Sequence, residues 1–211
     1  MLNIAVLVSG GGTNLQALLD AQKNGTLHSG RITLVVSSKP GAYALTRARE
    51  SGVETAVLAK RETPEAYGEE LLSLLKAHGI ALVVLAGFLK ILSPNVIAAY
   101  RGRILNVHPS LIPAFCGEGF YGLRVHRAAL ERGVKVTGAT VHLVDEIPDG
   151  GLILAQKAVE VREGDTPETL QQRVMEEAEW LLLPRETEKL AAQLAAAQPD
   201  GAMCETVGKV L

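Results

Sequence analysis

The chain has 211 residues and a formal net charge of −2, and 47% of its residues are hydrophobic but only 4% aromatic. This length allows one sizeable α/β domain with an aliphatic core, and the lack of a basic excess argues against nucleic acid as the main partner. With no apolar run of about 18 residues and no basic leader after Met1, we expect a soluble, cytoplasmic protein without a membrane segment.

Short apolar stretches alternate with helical periodicity in the first half of the chain. Leu15, Leu18 and Leu19 recur at the i, i+3, i+4 spacing of one helix face. Because apolar strands are separated by helices, the pattern predicts a parallel sheet covered on both faces. The predicted strands are Leu2–Val8, Ile32–Ser37, Thr55–Leu58 and Ala81–Leu85, and the predicted helices are Asn14–Lys23, Ala42–Ser51 and Pro64–His78.

The second half changes rhythm and contains a Pro/Gly-rich loop. Its predicted elements are a short helix over Ser93–Tyr100, a strand over Arg103–Val107, a helix from about Leu123 to Arg132, two strands over Val134–Val144 and Leu152–Val161, and a final helix that begins near Thr166 and is interrupted by Pro184. The last dozen residues look loosely ordered. We expect one Rossmann-like, three-layer α/β domain over residues 1–211 with a mostly parallel sheet.

The stretch SGGGTN (residues 9–14) lies between the first strand and the first helix. It is not a dinucleotide fingerprint, because the third glycine is replaced by Leu15 and the second strand ends in VVSSKP, without an acidic residue. It is not a Walker motif either, since no GK[ST] follows. Backbone N–H groups and a helix N-terminus suit one phosphate monoester, with Thr13 and Asn14 as additional donors. A tight β–α turn without a ligand is the alternative.

The stretch LNVHPS (residues 105–110) closes the fifth predicted strand. Asn106 and His108 are two residues apart, so both side chains emerge on one face at the carboxyl end of the strand. Together they are suited to stabilise an oxyanion on a carbonyl. Asp149 in DEIPDGG is a candidate third group, although the sequence does not bring it next to His108. A structural role for each residue taken singly stays open.

Metal-binding spacing is absent from the sequence. His108, His126 and His142 do not form a zinc pattern, and neither Cys116 nor Cys204 has a neighbour at ligand spacing. We therefore expect no metal, and reduced cysteines in a cytoplasmic setting.

Four blocks occur in a specific order: SGGGTN, LAGFLKILSP (85–94), NVHPSLIPAF (106–115) and GATVHLVDEIPDGG (138–151). With these blocks the chain resembles the glycinamide ribonucleotide formyltransferase family over about residues 1–185. The resemblance implies formyl transfer from 10-formyltetrahydrofolate to glycinamide ribonucleotide in purine synthesis, without a metal. It also implies a phosphate-binding half (1–100), a formyltransferase-type catalytic and folate half (101–190) and a C-terminal tail (191–211).

The resemblance also assigns the residues of the site. Asn106 and a protonated His108 would donate to the oxyanion, and Asp149 would keep the imidazole charged and accept the proton lost by the amine. The residues implied for the ribonucleotide and its phosphate are Gly11, Gly12, Thr13, Asn14, Pro109 and Glu179. The residues implied for the folate are Phe88, Leu89, Lys90, Ile91, Leu92, Asn106, His142, Val144, Asp145 and Glu146. Taken alone, Glu179 could equally be a solvated helix charge, and His142 is expected to have a supporting role.

Some positions depart from the family pattern. Trp180 stands where the motif commonly has His, and Lys90 and Pro64 stand where relatives often have Arg. The loop 116–122 is longer than in the shortest relatives, so it either folds over the phosphate or is a variable surface loop. Lys is a point charge rather than a bidentate fork, so we expect weaker binding of the acidic folate tail.

Three other functions are alternatives to formyl transfer to the ribonucleotide. Formyltetrahydrofolate deformylase resembles the same catalytic set, but it normally has an additional N-terminal regulatory domain. Methionyl-tRNA formyltransferase needs a further C-terminal domain, and a non-catalytic nucleotide-binding module leaves Asn106, His108 and Asp149 unexplained. We expect small-molecule substrates and a monomer or homodimer.

Overall fold

In the computed structural model, which describes residues 1–59 and 62–197, seven strands form one sheet. In chain order they are β1 (Leu2–Val8), β2 (Gly30–Ser37), β3 (Glu54–Val57), β4 (Ile80–Leu85), β5 (Ile104–His108), β6 (Val136–Leu143) and β7 (Ile153–Glu160). They lie side by side in the order β3-β2-β1-β4-β5-β6-β7. The strands β1 to β5 pair in parallel, whereas β6 and β7 are antiparallel to their neighbours. The predicted mostly parallel α/β fold is confirmed.

Helices cover the sheet, and side-chain caps fix where two of them begin. Thr63 accepts a hydrogen bond from the N–H of Ala66 at the start of the helix Pro64–Ala77, and Thr166 and Thr169 form a reciprocal capping box at the start of the helix Pro167–Val174. The helices are α1 (Thr13–Lys23), α2 (Tyr43–Glu50), α3 (Pro64–Ala77), α4 (Pro94–Ala99), α5 (Leu123–Arg132), α6 (Pro167–Val174) and α7 (Trp180–Ala196). None of the helices among the described residues has the length and apolarity to cross a bilayer.

The core lies in two layers because β1 is buried on both of its faces. Ile4, Val6 and Val8 belong to the layer under α1 and α7, while Ala5 and Leu7 belong to the layer under α3 and α4. The alternation follows from the period of two residues along a strand. Burial of both faces explains why the first strands are apolar throughout, as the sequence predicts.

The final helix is interrupted at a different place from the one predicted. Pro184 lies inside α7, and the irregularity is a π-helical turn over Met175–Glu179, between α6 and α7. Pro184 has no N–H to donate to the carbonyl of Trp180, but it is buried in the packed part of α7 and the helix continues through it. A π turn inserts an additional residue into the helix, and here it directs Glu179 into the protein. Cys204 and the rest of the tail after residue 197 lie outside the described residues.

The turn before α1 depends on Gly12. Its φ of +76° is left-handed, and a Cβ at this position would lie 2.6 Å from the Cβ of Ala44. At Gly11 a Cβ would meet nothing within 4 Å. The two neighbouring glycines therefore have different structural requirements.

We predict that Gly12→Ala lowers the free energy of unfolding by about 2–4 kcal/mol, because strain and overpacking each cost about 1–3 kcal/mol. Gly11→Ala, the matched control, should change it by less than about 1 kcal/mol. Urea unfolding of both variants measures the difference. Equal losses in the two variants would contradict the close packing of Gly12 on α2.

Candidate active site

A cavity of about 610 Å³ opens at the carboxyl edge of the sheet, beside the ends of β4 and β5. This is the edge at which open α/β sheets bind their ligands. The predicted site residues that line it are Asn14, Phe88, Leu89, Lys90, Ile91, Leu92, Asn106, His108, Pro109, His142, Val144, Asp145, Glu146, Asp149 and Glu179. Gly11 and Gly12 are not among its lining residues, and Thr13 lines a second cavity of about 510 Å³ between α1 and α7.

Asp149 is the centre of a cluster of four polar side chains. Its Oδ2 lies 3.5 Å from Nδ1 of His108, and its Oδ1 accepts a hydrogen bond of 3.4 Å from Nδ2 of Asn106. Nε2 of His142 lies 3.6 Å from the same Oδ1. The structure thus brings together the three predicted catalytic residues, which are far apart along the chain.

The backbone around Asp149 holds its carboxylate in place. Asp149 has a left-handed φ of 57°, and its Oδ2 accepts the N–H of Gly117 at 2.8 Å. A Cβ at Gly151 would lie 1.9 Å from the carbonyl oxygen of Leu143, so the return into β7 requires glycine. Burial acts to raise the pKa of Asp149, but the neighbouring His142 and His108 and the Gly117 N–H together hold this pKa below its usual value.

The hydrogen bond between His108 and Phe115 fixes the imidazole tautomer. Nε2 of His108 lies 2.9 Å from the carbonyl oxygen of Phe115. A carbonyl only accepts, so Nε2 carries the hydrogen and the neutral ring has its lone pair on Nδ1, facing Asp149. Burial lowers the pKa of His108 and outweighs the opposite effects of Asp149 and the Phe115 carbonyl. This shift runs against the expectation that Asp149 keeps the imidazole charged, which stays a prediction.

His142 orients the amide of Asn106. The two residues are directly opposite in the β5–β6 register, and His142 is buried. Its Nδ1 lies 2.9 Å from the carbonyl oxygen of Leu143, and its Nε2 lies 3.1 Å from Nδ2 of Asn106. His142 is thus next to the amide of Asn106, which agrees with the supporting position expected for it.

Glu179 is buried rather than solvated, so its alternative interpretation as a surface charge is wrong. Its Oε2 accepts a 2.6 Å hydrogen bond from Nδ2 of Asn14. Burial raises the pKa of Glu179 to about 7, although the Asn14 amide acts in the opposite direction. Thr13 also donates to the sulfur of Met175 at 3.6 Å. The hydrogen bond between Asn14 and Glu179 therefore connects the glycine turn to the π turn, although 165 residues separate the two in sequence.

The loop after β5 supplies contacts that the sequence analysis did not identify. The carbonyl of Phe115 holds His108, and the N–H of Gly117 holds Asp149. Residues 117–122 line the cavity, so the loop is part of its wall. Gln171 and Met175 are further lining residues that were missed. The glycines of CGEGFYG were the available signal for the loop, but they do not indicate which backbone groups face inward.

Exposed apolar side chains form a rim around the cavity. Ile91 is 72% exposed and Ile147 is 67% exposed, on opposite segments of the lining. The ammonium of Lys90 lies 3.9 Å from the ring centroid of Tyr67. Within residues 1–59 and 62–197, no group of three His, Cys, Asp or Glu side chains is arranged to hold a metal ion.

The sequence pattern of the family described as Formyl transferase matches residues 2–187. The chain is 42% identical over 175 residues to phosphoribosylglycinamide formyltransferase of Escherichia coli, covering 82% of this chain and 80% of that protein. A solved structure of glycinamide ribonucleotide transformylase 1 from Symbiobacterium toebii superposes with a TM-score of 0.86 at 42% identity, covering 92% of this chain and 89% of that one. The chain belongs to the formyl transferase family.

Other relatives are longer than this chain. The match to the chloroplastic phosphoribosylglycinamide formyltransferase of Arabidopsis thaliana is 42% identical over 177 residues and covers 82% of this chain but 60% of that protein. The match to the trifunctional purine biosynthetic protein adenosine-3 of Drosophila melanogaster covers 14% of that protein. The chain therefore spans only part of the length of these two relatives.

The burial of Glu179 makes stability depend on pH. Because its pKa is raised to about 7 from 4.5, the folded state binds a proton that the unfolded state releases between these values. Stability is thus highest below pH 4.5 for this group and falls as pH rises to 7.

We predict that Glu179→Gln removes this decline. Between pH 4.5 and pH 8, the free energy of unfolding of the variant should rise by roughly 2–4 kcal/mol relative to that of the wild type. Urea unfolding across this pH range measures the shift. Glu177→Gln is the matched control, since Glu177 is on the same turn with 47% of its side chain exposed. Parallel curves for wild type and Glu179→Gln would contradict the buried carboxyl.

Proposed function

We propose that the protein transfers the formyl group of 10-formyltetrahydrofolate to the amine of 5′-phosphoribosylglycinamide, a step of purine biosynthesis. The observation that carries the proposal is the cluster of Asn106, His108 and Asp149 in one cavity. Asn14 and Glu179 line the same cavity on the side of the glycine turn. The names of the E. coli and S. toebii relatives support the same reaction. A cytoplasmic location and a monomer or homodimer stay predictions.

The ribonucleotide would bind at the turn that precedes α1. The N–H groups of Gly11, Gly12, Thr13 and Asn14 are suited to the phosphate, because a helix N-terminus concentrates donors and partial positive charge. Nε of Arg47 donates to the carbonyl oxygen of Gly11 at 2.9 Å, which keeps a guanidinium beside this turn. Pro109 and Glu179 would contact the ribose and glycinamide portions.

The folate would bind between the segment Phe88–Leu92 and the loop that precedes Asp149. Its flat heterocycle suits the apolar walls formed by Phe88, Leu92 and Val144, all of which line the cavity. His142, Asp145 and Glu146 line the same side and supply polar groups for the edge of the ring. Leu89, Lys90 and Ile91 form the outer rim, where Lys90 would attract the acidic tail of the folate.

In the proposed reaction the amine nitrogen attacks the formyl carbon, a C–N bond forms, and the carbonyl electrons move to oxygen. The carbonyl then re-forms as the bond to N10 of the folate breaks, so one proton passes from the amine to N10. Neutral His108 has a lone pair on Nδ1 and is suited to accept that proton and return it to N10. Asp149 stabilises the imidazolium that forms in between, 3.5 Å away.

Asn106 would donate to the oxyanion. One hydrogen of its Nδ2 is committed to His142 at 3.1 Å, while the contact to Asp149 is longer at 3.4 Å. The hydrogen in the longer contact is the one that can turn to a developing oxyanion. The imidazolium of His108 adds a charged donor as the negative charge develops.

We predict that Asn106→Ala and His108→Ala each reduce kcat by about 10²–10³-fold, the usual loss for an oxyanion donor, with folding intact. His28→Ala, whose side chain is 70% exposed, is the histidine control and should keep wild-type turnover. Stopped-flow folate absorbance and thermal unfolding measure the two effects. Near-full activity of either cavity variant would remove that residue from the mechanism.

The test of the function itself is folate absorbance with 10-formyltetrahydrofolate, with and without glycinamide ribonucleotide. We expect deformylated folate to be released only when the ribonucleotide is present. Release at the same rate with water alone would show a deformylase and would overturn the proposed acceptor.

The phosphate site has a separate test. We predict that the riboside lacking the 5′-phosphate has a kcat/KM lower by about 100-fold or more, because hydrogen bonds to a charged group are each worth about 1.5–3 kcal/mol. The KM for the folate should be unchanged. Equal kcat/KM for riboside and ribonucleotide would place the phosphate outside the glycine turn.

A further inference from the structure

Ser9 joins three strand ends through one hydroxyl group. It follows β1 directly, is 3% exposed, and its Oγ accepts a hydrogen bond of 3.0 Å from the N–H of Leu89. The same Oγ shares a hydrogen bond of 2.7 Å with Oγ of Ser38, just after β2. The hydroxyl is thus in contact with the segments that follow β2 and β4, the two neighbours of β1 in the sheet.

The position of Ser9 in the topology explains this contact. In the order β3-β2-β1-β4-β5-β6-β7, the chain order reverses between β1 and β4. The loops that leave β1 and β4 diverge from this point and open the crevice used by ligands in such sheets. Ser9 directly follows β1 at this reversal and directly precedes the three glycines.

We propose that Ser9 is a positioning residue that couples the binding of the two substrates. The proposal rests on the proposed function, which places the phosphate at residues 11–14 and the folate on residues 88–92. Ser9 precedes the first segment, and the N–H it holds belongs to the second. When the ribonucleotide orders the glycine turn, the Ser9 hydroxyl fixes the position of the Leu89 backbone.

The segment that Ser9 holds has no repeating hydrogen-bond pattern of its own. Residues 86–93 adopt neither helix nor strand, and Gly87 has a left-handed φ of 71°. Leu89 is 54% exposed, so its side chain has little packing to fix the backbone. In such a segment a single hydrogen bond to a buried hydroxyl has a large effect on backbone position.

The test is Ser9→Ala, with binding and turnover measured separately. Calorimetry gives the Kd of a dideazafolate that cannot transfer a formyl group, with and without saturating glycinamide ribonucleotide. In the wild type we expect the ribonucleotide to tighten this Kd by about 5-fold or more, the lower limit of typical coupling between sites. In Ser9→Ala we expect this factor to fall to about 1 and kcat to fall about 10-fold, because a lost coupling misplaces the folate. The Kd of the ribonucleotide alone should stay within about threefold.

Two other serines are matched controls. Ser37→Ala removes a buried hydroxyl at the end of β2 that donates to the carbonyl oxygen of Lys39 within its own turn. Ser38→Ala removes the other partner of Ser9 but leaves the bond to Leu89. Both controls should keep the coupling factor and kcat of the wild type. Thermal unfolding midpoints of all three variants report folding.

The outcomes separate this inference from the proposed function. If the wild type transfers the formyl group and Ser9→Ala matches Ser37→Ala in coupling and kcat, the positioning role is overturned while the function stands. Equal losses in Ser9→Ala and Ser38→Ala would also overturn it, because the Leu89 bond would then not be the cause. A wild type that does not use the ribonucleotide overturns the function instead.

Discussion

The arrangement of the site depends on the carboxylate of Asp149, whose side chain is only 14% exposed. A buried carboxylate is costly unless hydrogen bonds or positive partners compensate for the lost water. The N–H of Gly117 and the amide of Asn106 donate hydrogen bonds to it, and the imidazoles of His108 and His142 lie 3.5 and 3.6 Å away. These groups come from β5, β6 and the loop after β5, so the cluster is complete because β6 pairs with β5 in antiparallel orientation.

The fold could be predicted from the sequence because the sequence signals for strands and helices are local. Apolar strands, helix periodicity and capping residues lie within a few positions of each other, and the predicted strand over residues 2–8 coincides with β1. Pro184 shows where this reasoning fails. A proline inside a helical pattern usually indicates an end, but in α7 the surrounding packing accommodates it and the irregularity moves to the π turn at Met175–Glu179.

The sequence predicted only those features of the site that depend on the identity of side chains. Asn106 and His108 share a strand face, and their proximity follows from the period of two. Asp149 was a candidate from its loop, but its place beside them came from the family resemblance, because 43 residues separate it from Asn106. The contacts of Phe115 and Gly117 are made by backbone groups, which every residue has, so no residue pattern identifies them. The lowered pKa of His108 depends on burial, which is a property of the folded protein.

Trp180 gives the segment that carries Glu179 an optical property of its own. It is the single tryptophan of the chain, and it directly follows Glu179 at the start of α7. Its indole nitrogen is buried and has no hydrogen-bond partner among the described residues. Indole emission shifts with the polarity and charge around the ring, so ionisation of the Glu179 carboxyl shifts the wavelength at which the protein fluoresces. The intrinsic fluorescence of the protein therefore reports on one defined location, without any label.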